Sequence, residues 1–127
     1  MQNKHLFEYA VIRVVPRVER EEFLNVGVVL YCARKKFLQA VFVMDEPRLT
    51  AFSKELDLEF LSDNLLAFTN LCIGGKDGGP IGQLDIASRF RWLTAMRSTV
   101  LQTSRVHPGF CDDPAVKLEE LLAEQVG

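Results

Sequence analysis

The sequence holds few of the side chains that carry chemistry in proteins. Its 127 residues include two histidines, three cysteines and one tryptophan. Cys32, Cys72 and Cys111 are far apart and form no C-x-x-C pair, which argues against a disulfide framework and a structural zinc site. The two histidines, His5 and His107, are far apart in the sequence, so His107 has no neighbouring imidazole with which to hold a metal. The sequence therefore predicts no metal site and no bound cofactor.

Long apolar runs are also missing. No segment approaches the roughly 20 apolar residues that a membrane helix needs. Glu8 and Arg13 interrupt the start of the chain, where a signal peptide would need an unbroken apolar stretch. We therefore expect a cytoplasmic protein that does not insert into a membrane.

Charge of one sign does not dominate the chain either. The net charge is −2, which argues against a general nucleic-acid binder. The distribution is less even, because residues 86–111 contain four arginines and no acid, whereas residues 112–127 contain five acids and one lysine. The two stretches either face each other or lie on separate solvated faces, or the arginines form a patch that binds an anion or a partner. The four arginines are Arg89, Arg91, Arg97 and Arg105.

The length and the 48% hydrophobic content fit one globular domain over residues 1–127. Alternating or β-branched runs predict strands over Leu6–Val15, Phe23–Ala33 and Phe37–Met44. Their short connections require antiparallel neighbours, since a parallel crossover needs a dozen or more residues. The first third of the chain therefore predicts a three-stranded meander.

The rest of the chain is mostly helical. Helices are predicted to begin near Asp45, Asp57, Asp85 and Asp113, which are residues suited to capping a helix start. One further strand is predicted over Ser98–Val106, followed by a turn at His107–Phe110. This order predicts an α+β fold, with an antiparallel meander of three strands plus one later strand and about four helices on one face.

The segment Leu71–Asp85 contains five of the eight glycines, around Lys76. A P-loop would place serine or threonine after the lysine and would follow a strand. Here Asp77 follows the lysine and the preceding segment has a helical period. We interpret this segment as a connection between two helices.

The first hairpin contains the most distinctive polar group. If Val15 pairs with Phe23, then Arg13 lies opposite Asn25 and Val11 opposite Gly27, and Arg13 and Asn25 share one face. An arginine in an apolar strand needs a carboxylate, an anion or solvent. Arg13 therefore either pairs with a nearby glutamate, faces water, or belongs to an anion pocket or docking surface. The nearby glutamates are Glu19, Glu21 and Glu22.

Two other groups of polar side chains lie in the second half of the chain. Arg89 and Trp92 are three residues apart on a predicted helix, where they form a binding surface if Trp92 is exposed and part of the core if it is not. His107 and Cys111 lie in a proline–glycine segment, but a Cys–His nucleophile also needs a third group that orients the histidine. We therefore assign no catalytic residue and do not expect an enzyme.

Two motifs resemble a known family. The sequence E-F-x-N-V-G-V at Glu22–Val28 and R-F-R-W-L at Arg89–Leu93 resemble, in combination, a bacterial family catalogued as Domain of Unknown Function 3037. The resemblance extends from Tyr9 to Leu122. It implies a small bacterial protein of no established activity, from a family whose members are often encoded beside a HipA-like kinase gene. It supplies no catalytic residues.

Two function classes follow. The first is a non-catalytic interaction or regulatory module for a kinase-like partner, with Arg13, Asn25, Arg89 and Trp92 clustered on an exposed face. The alternative is a domain or enzyme that binds a small anionic molecule, with a pocket formed by Arg13, Asn25, Arg97 and His107. An exposed edge at the first or last strand would in addition allow a homodimer.

Overall fold

The computed structural model describes residues 4–95 and 99–126. Single 3-10 turns occur at Val18–Arg20 and Lys76–Gly78. In the described part of the chain, no helix combines the length and the apolar character needed to cross a membrane.

In chain order the elements are β1 (His5–Val14), β2 (Leu24–Cys32), β3 (Phe37–Phe42), α1 (Glu46–Phe52), α2 (Leu58–Ile73), α3 (Gly79–Gly82), α4 (Ile86–Leu93), β4 (Leu101–Thr103), β5 (His107–Cys111) and α5 (Pro114–Val126).

The strands form one antiparallel sheet in the order β3-β2-β1-β4, with β5 also paired to β1. The meander of β1, β2 and β3 is confirmed. Strand β1 is central: its first half pairs with β5 and its second half with β4. Of the strand predicted over Ser98–Val106, only Leu101–Thr103 forms a strand, β4, and β4 and β5 together form the edge opposite β3.

The pairing of β1 with β2 contains a bulge. Arg13 lies opposite Asn25, as predicted, but Ile12 lies opposite Gly27, so Val26 is an extra residue in β2. The predicted pairing of Val11 with Gly27 is therefore wrong, because the bulge shifts Val11 to Val28.

The predicted turn at His107–Phe110 is instead part of β5, which spans His107–Cys111. Pro108 is tolerated there because it lies on an edge strand opposite Glu8. The backbone N–H and C=O of Val11 bond to Ser104, on the β4 and β5 side of β1. Because the backbone groups of successive strand residues point in alternate directions, those of Glu8 point to β2 instead. The nitrogen of Pro108 consequently points away from the sheet, where no donor is needed.

Helices cover both faces of the sheet. The residues of β2 from Val26 to Cys32 are all buried, and a strand that is buried on both sides needs cover on both sides. The α+β class is confirmed, but α5 packs on the face opposite α2 and α4 rather than beside them. One core contains Ile12, Val29, Tyr31, Leu49, Leu61, Leu65 and Phe90, and the other contains Phe7, Val28, Leu30, Cys32, Leu118 and Leu121.

The predicted helix boundaries are confirmed by their caps. Asp45, Asp57 and Asp85 each accept a hydrogen bond from the backbone N–H three residues later, at 2.9–3.1 Å. Gly74 ends α2 with a φ of +82°, a left-handed angle that favours glycine.

Candidate binding site

A groove of about 430 Å³ lies where α1, the start of β2 and the last turns of α5 meet. Its size and its mostly apolar lining are typical of a site that binds a small molecule or the side chains of a partner. The apolar lining residues are Leu24, Val26, Val43, Leu49, Leu122, Ala123 and Val126. The polar lining residues are Asn25, Asp45, Arg48 and Glu119.

Helix α1 forms one wall of the groove. Asp45 caps its start through a 3.1 Å hydrogen bond from the backbone N–H of Arg48, and Pro47 lies in the first turn. Leu49 is 1% exposed and anchors the helix in the core. These local features hold the side chain of Arg48 at the mouth of the groove.

The end of α5 is fixed by two side chains from elsewhere in the chain. The Asn25 Nδ2 atom donates to the carbonyl of Gln125, and Arg48 Nη1 donates to the carbonyl of Val126, both at 3.1 Å. The last carbonyls of a helix lack partners within the helix, and they lie at its negative end. Asn25 and Arg48 therefore satisfy two of these carbonyls and keep the groove open in a defined shape.

Asn25 also has an unsatisfied atom. Its Oδ1 is buried and accepts no hydrogen bond from the described residues. A buried acceptor without a donor costs about 1–3 kcal/mol. A donor brought into the groove beside Asn25 would remove this cost.

Arg13 lies next to Asn25 in the sheet but lines a separate hollow of about 280 Å³. Its guanidinium carbon is 4.0 Å from the ring centroid of Phe23, a cation–π arrangement. The Nε atom is buried and has no acceptor among the described residues. Of the alternatives for Arg13, pairing with a glutamate is not observed in the described part of the chain, and Glu22 contacts Arg20 at 3.0 Å.

His107 lies on the same face of the sheet, opposite Tyr9, and their ring centroids are 5.3 Å apart. Tyr9 is four residues from Arg13 along β1, about 13 Å at the usual rise of a strand. The structure thus brings Arg13 and Asn25 together but leaves His107 well apart from them. Arg97, the fourth residue of the expected anion pocket, lies outside the described residues.

Arg89 is engaged by the fold. Its Nη1 atom donates to the carbonyls of Leu71 at 3.0 Å and Cys72 at 2.8 Å, and its Nε donates to that of Leu84 at 3.1 Å. The side chain therefore satisfies the C-terminal end of α2 and connects it to α4. Its hydrogen bonds are made inside the protein.

Trp92 is 41% exposed and lines a hollow of about 190 Å³ on the α2 and α4 side of the sheet. Arg13 and Asn25 point to the other face, where α5 lies. The expected single surface formed by Arg13, Asn25, Arg89 and Trp92 is therefore not present. Trp92 and the groove residues belong to two separate regions.

Arg91, like Arg89, is engaged by the fold. Both of its terminal nitrogens contact the carboxylate of Glu8 at 3.0 Å. The cation thus pairs with β1 and not with the acidic stretch at residues 112–127.

The glycine-rich segment folds onto itself. The N–H of Gly75 donates to the carbonyl of Gly82 at 2.8 Å, and that of Gly78 donates to Gly75 at 3.2 Å. A Cβ on Gly82 would lie 2.4 Å from the carbonyl oxygen of Gly75, so the close approach requires glycine. These N–H groups bond within the loop, whereas a phosphate site would need them directed at a ligand. The structure agrees with a connection between helices.

The cysteines are buried. Burial raises the pKa of Cys72 to about 12, although the nearby Arg89 opposes this shift. Cys111 is 5% exposed, and burial is the main cause that raises its pKa. In both residues burial favours the protonated thiol, which argues against a reactive thiolate. No three potential metal ligands lie together among the described residues.

Most of the groove was missed by sequence reasoning. The helix start at Asp45 was predicted, and Leu122 and Val126 belong to an apolar stripe along α5. The stripe shows that these residues are covered, but it does not show that α5 ends beside α1. Arg48 carried no signal in the sequence, because an arginine on a short helix is ordinarily a solvated side chain.

The chain belongs to the family described as "Protein of unknown function (DUF3037)", whose family model matches residues 9–126. The resemblance carried by the two motifs is thus confirmed. No curated protein and no solved structure matches the chain.

Proposed function

We propose that this protein is a non-catalytic interaction module that binds an apolar segment of a partner protein in the groove between α1, β2 and α5. The observation that carries the proposal is the groove itself, about 430 Å³ in volume, with apolar walls and a few polar groups around them. Such a site binds apolar side chains by removing them from water and uses its polar groups to orient the bound chain.

Three features support a peptide segment as the ligand. The buried Oδ1 of Asn25 lacks a donor, and a peptide supplies N–H donors along its backbone. Asp45, Arg48 and Glu119 carry charges of both signs at the groove, as in the polar rim of protein interfaces. The walls are held by the core and by the α5 contacts, so binding needs little reordering of the protein.

The partner that we propose is the HipA-like kinase encoded beside members of this family, with both proteins in the bacterial cytoplasm. This part of the proposal rests on the family resemblance. The groove supports binding of an apolar segment and is compatible with a segment of the kinase surface.

Ala123 allows a direct test, because it is exposed on the wall of the groove and a larger side chain there would fill the space. Ala115 is an exposed alanine in the first turn of the same helix and does not line the groove. The test compares the wild type, Ala123→Phe and Ala115→Phe in calorimetric titrations with the purified kinase and in selections from a peptide display library. Loss of one well-packed contact of about 1.4 kcal/mol weakens binding about tenfold.

We expect the wild type and Ala115→Phe to bind the kinase with equal affinity and Ala123→Phe to bind at least about tenfold more weakly. Library peptides selected on the wild type should be rich in apolar residues and should lose binding to Ala123→Phe. If the kinase does not bind while such peptides do, the partner is wrong and the groove function stands. If neither ligand depends on Ala123, the groove is not the binding site and the proposal is wrong.

A second candidate function is the binding of a small anionic molecule beside Arg13. It is favoured by one observation, namely that the buried Nε of Arg13 has no acceptor among the described residues. Glu21 and Glu22 line the same hollow and would repel an anion, so we rank this function second. A calorimetric screen of phosphate and simple carboxylates against the wild type and Arg13→Gln tests it, since only the wild type should bind.

A further inference from the structure

Strand β3 forms one edge of the sheet, with β2 as its neighbour on the inner side. The N–H of Val43 donates to the carbonyl of Val26 at 2.8 Å, and the register pairs Val41 with Val28. In an antiparallel ladder, alternate residues bond to the same neighbour. The odd-numbered residues of β3 therefore bond inward, and the backbone groups of Leu38, Ala40 and Phe42 point outward.

These outward groups make no hydrogen bond with any of the described residues. Natural edge strands usually carry a charge, a proline or a bulge that prevents pairing with another strand. The six residues of β3, FLQAVF, contain no charge and no proline, and they pair with β2 without a register shift. The β3 edge is therefore an open template for one more strand.

We propose that this edge pairs with β3 of a second copy of the same chain, in an antiparallel register with Ala40 on the two-fold axis. A two-fold axis through Ala40 places Leu38 opposite Phe42 of the second copy. In this register the outward groups of both copies meet and form about six hydrogen bonds. In this register even-numbered residues of β3 lie opposite even-numbered residues of the second copy, and opposite residues place their side chains on the same face of the sheet. Helices α2 and α4 of both copies therefore lie on the same face of the joined sheet.

The side chains fit this register. Leu38, Ala40 and Phe42 are half-buried and lie on the face covered by α2 and α4. The small Ala40 side chains meet at the axis, where larger ones would collide, and each pair of Leu38 and Phe42 gains apolar contact.

The charges at the two ends of β3 also fit a second copy. Arg34 and Lys35 precede the strand, whereas Asp45 and Glu46 follow it, and all four are exposed. Because the two strands run antiparallel, the basic turn before β3 of one copy lies near the acidic residues that follow β3 of the other. Opposite charges therefore meet at both ends, an arrangement that favours this copy over an unrelated strand.

The test measures association by sedimentation velocity over a range of protein concentrations. Ala40→Pro removes only an outward donor, so the fold should persist while the dimer weakens by at least about tenfold. Arg34→Glu should also weaken the dimer, and the double variant Arg34→Glu/Glu46→Arg should restore it. Circular dichroism checks that each variant is folded.

Crosslinking tests the register even if Ala40→Pro fails to fold. Residues opposite each other in a hydrogen-bonded pair have Cα atoms about 5.5 Å apart, within the range of a disulfide. We expect oxidised Ala40→Cys to form a covalent dimer rapidly and Gln39→Cys, its exposed neighbour, to do so slowly. A wild type that stays monomeric at high concentration, or a dimer that neither Ala40→Pro nor Ala40→Cys affects, would overturn the proposal.

Discussion

The two edges of the sheet differ in how they are protected. The edge formed by β4 and β5 is broken, since β4 has three residues and the chain leaves the ladder before β5 begins. Ser104 fills the break, with its Oγ accepting the N–H of Val11 at 2.9 Å, and Pro108 removes an outward donor from β5. The β3 edge is continuous and has no such protection.

This contrast shows which surface of the sheet the fold leaves available. A broken edge with a proline cannot add a further strand in regular register, whereas a continuous uncharged edge can. The expectation that the first strand forms an edge is wrong, because β1 lies between β2 and the pair β4 and β5. The protected edge closes the fold, and the open edge is where we propose that a second copy pairs.

The largest effect is expected where β3 docks on β2. A Cβ on Gly27 would lie 2.4 Å from the carbonyl oxygen of Val41 and 2.7 Å from the Cβ of Phe42. Since the first of these contacts is with backbone, Gly27→Ala should push β3 away from β2 and lower the free energy of unfolding by about 3 kcal/mol. Denaturation in guanidinium chloride measures this change. Gly78→Ala is the control, because the nearest atom there is 3.3 Å away on the side chain of Leu71, and a loss equal to that of Gly27→Ala would contradict the account.

The next effect concerns the break in the opposite edge. Ser104→Ala removes the only side-chain acceptor of the buried Val11 N–H among the described residues. The free energy of unfolding should fall by about 1–3 kcal/mol, the cost of a buried donor left without a partner. Ser62→Ala, an exposed position on α2, serves as the control in the same denaturation experiment. Equal stability of the two variants would mean that Ser104 does not hold this edge together.

A smaller effect is expected at Pro108. Its nitrogen points away from β1, so Pro108→Ala loses no ladder bond and should change the free energy of unfolding by less than about 0.5 kcal/mol. The variant should instead gain an outward donor and a slightly greater tendency to associate, which light scattering detects. A large loss of stability would show that proline stabilises β5 rather than protecting its edge.

No effect is expected at the native cysteines. Cys72 and Cys111 are each 5% exposed, and burial raises the pKa of both thiols, so we expect neither to react with a thiol reagent at pH 8. Ellman's reagent should modify them in guanidinium chloride and leave them unmodified in the folded protein. The reagent should react readily with Gln39→Cys, an exposed position on the other face of β3. Fast modification of the folded wild type would contradict the buried positions.

The sequence predicted the meander and the helix starts because their signals are local. Alternation over Leu6–Val15 and the capping residues Asp57 and Asp85 depend on a few neighbouring residues. The bulge at Val26 could not be predicted, since the register of a strand depends on its pairing partner and not only on its own sequence. The face covered by α5 also depends on tertiary packing, which the apolar stripe of a helix leaves open.

The candidate site was only partly predictable for the same reason. Asn25 was recognised as polar and as the neighbour of Arg13, but its bond to the carbonyl of Gln125 joins residues 100 positions apart. Arg89 was interpreted as a surface cation, whereas it satisfies the carbonyls at the end of α2. In both cases the partner is a backbone carbonyl, which every residue type carries and which no sequence pattern marks.

The most direct test of the proposed function is a nuclear magnetic resonance titration of the ¹⁵N-labelled protein with an apolar peptide selected on it. The account predicts that the signals of Leu24 to Val26, α1 and the last turn of α5 shift together, along with the side-chain amide of Asn25. The indole signal of Trp92, on the opposite face, should stay in place. Shifts confined to Trp92 and the surrounding hollow, with no change around Asn25, would contradict the account and place the binding surface on the other side of the sheet.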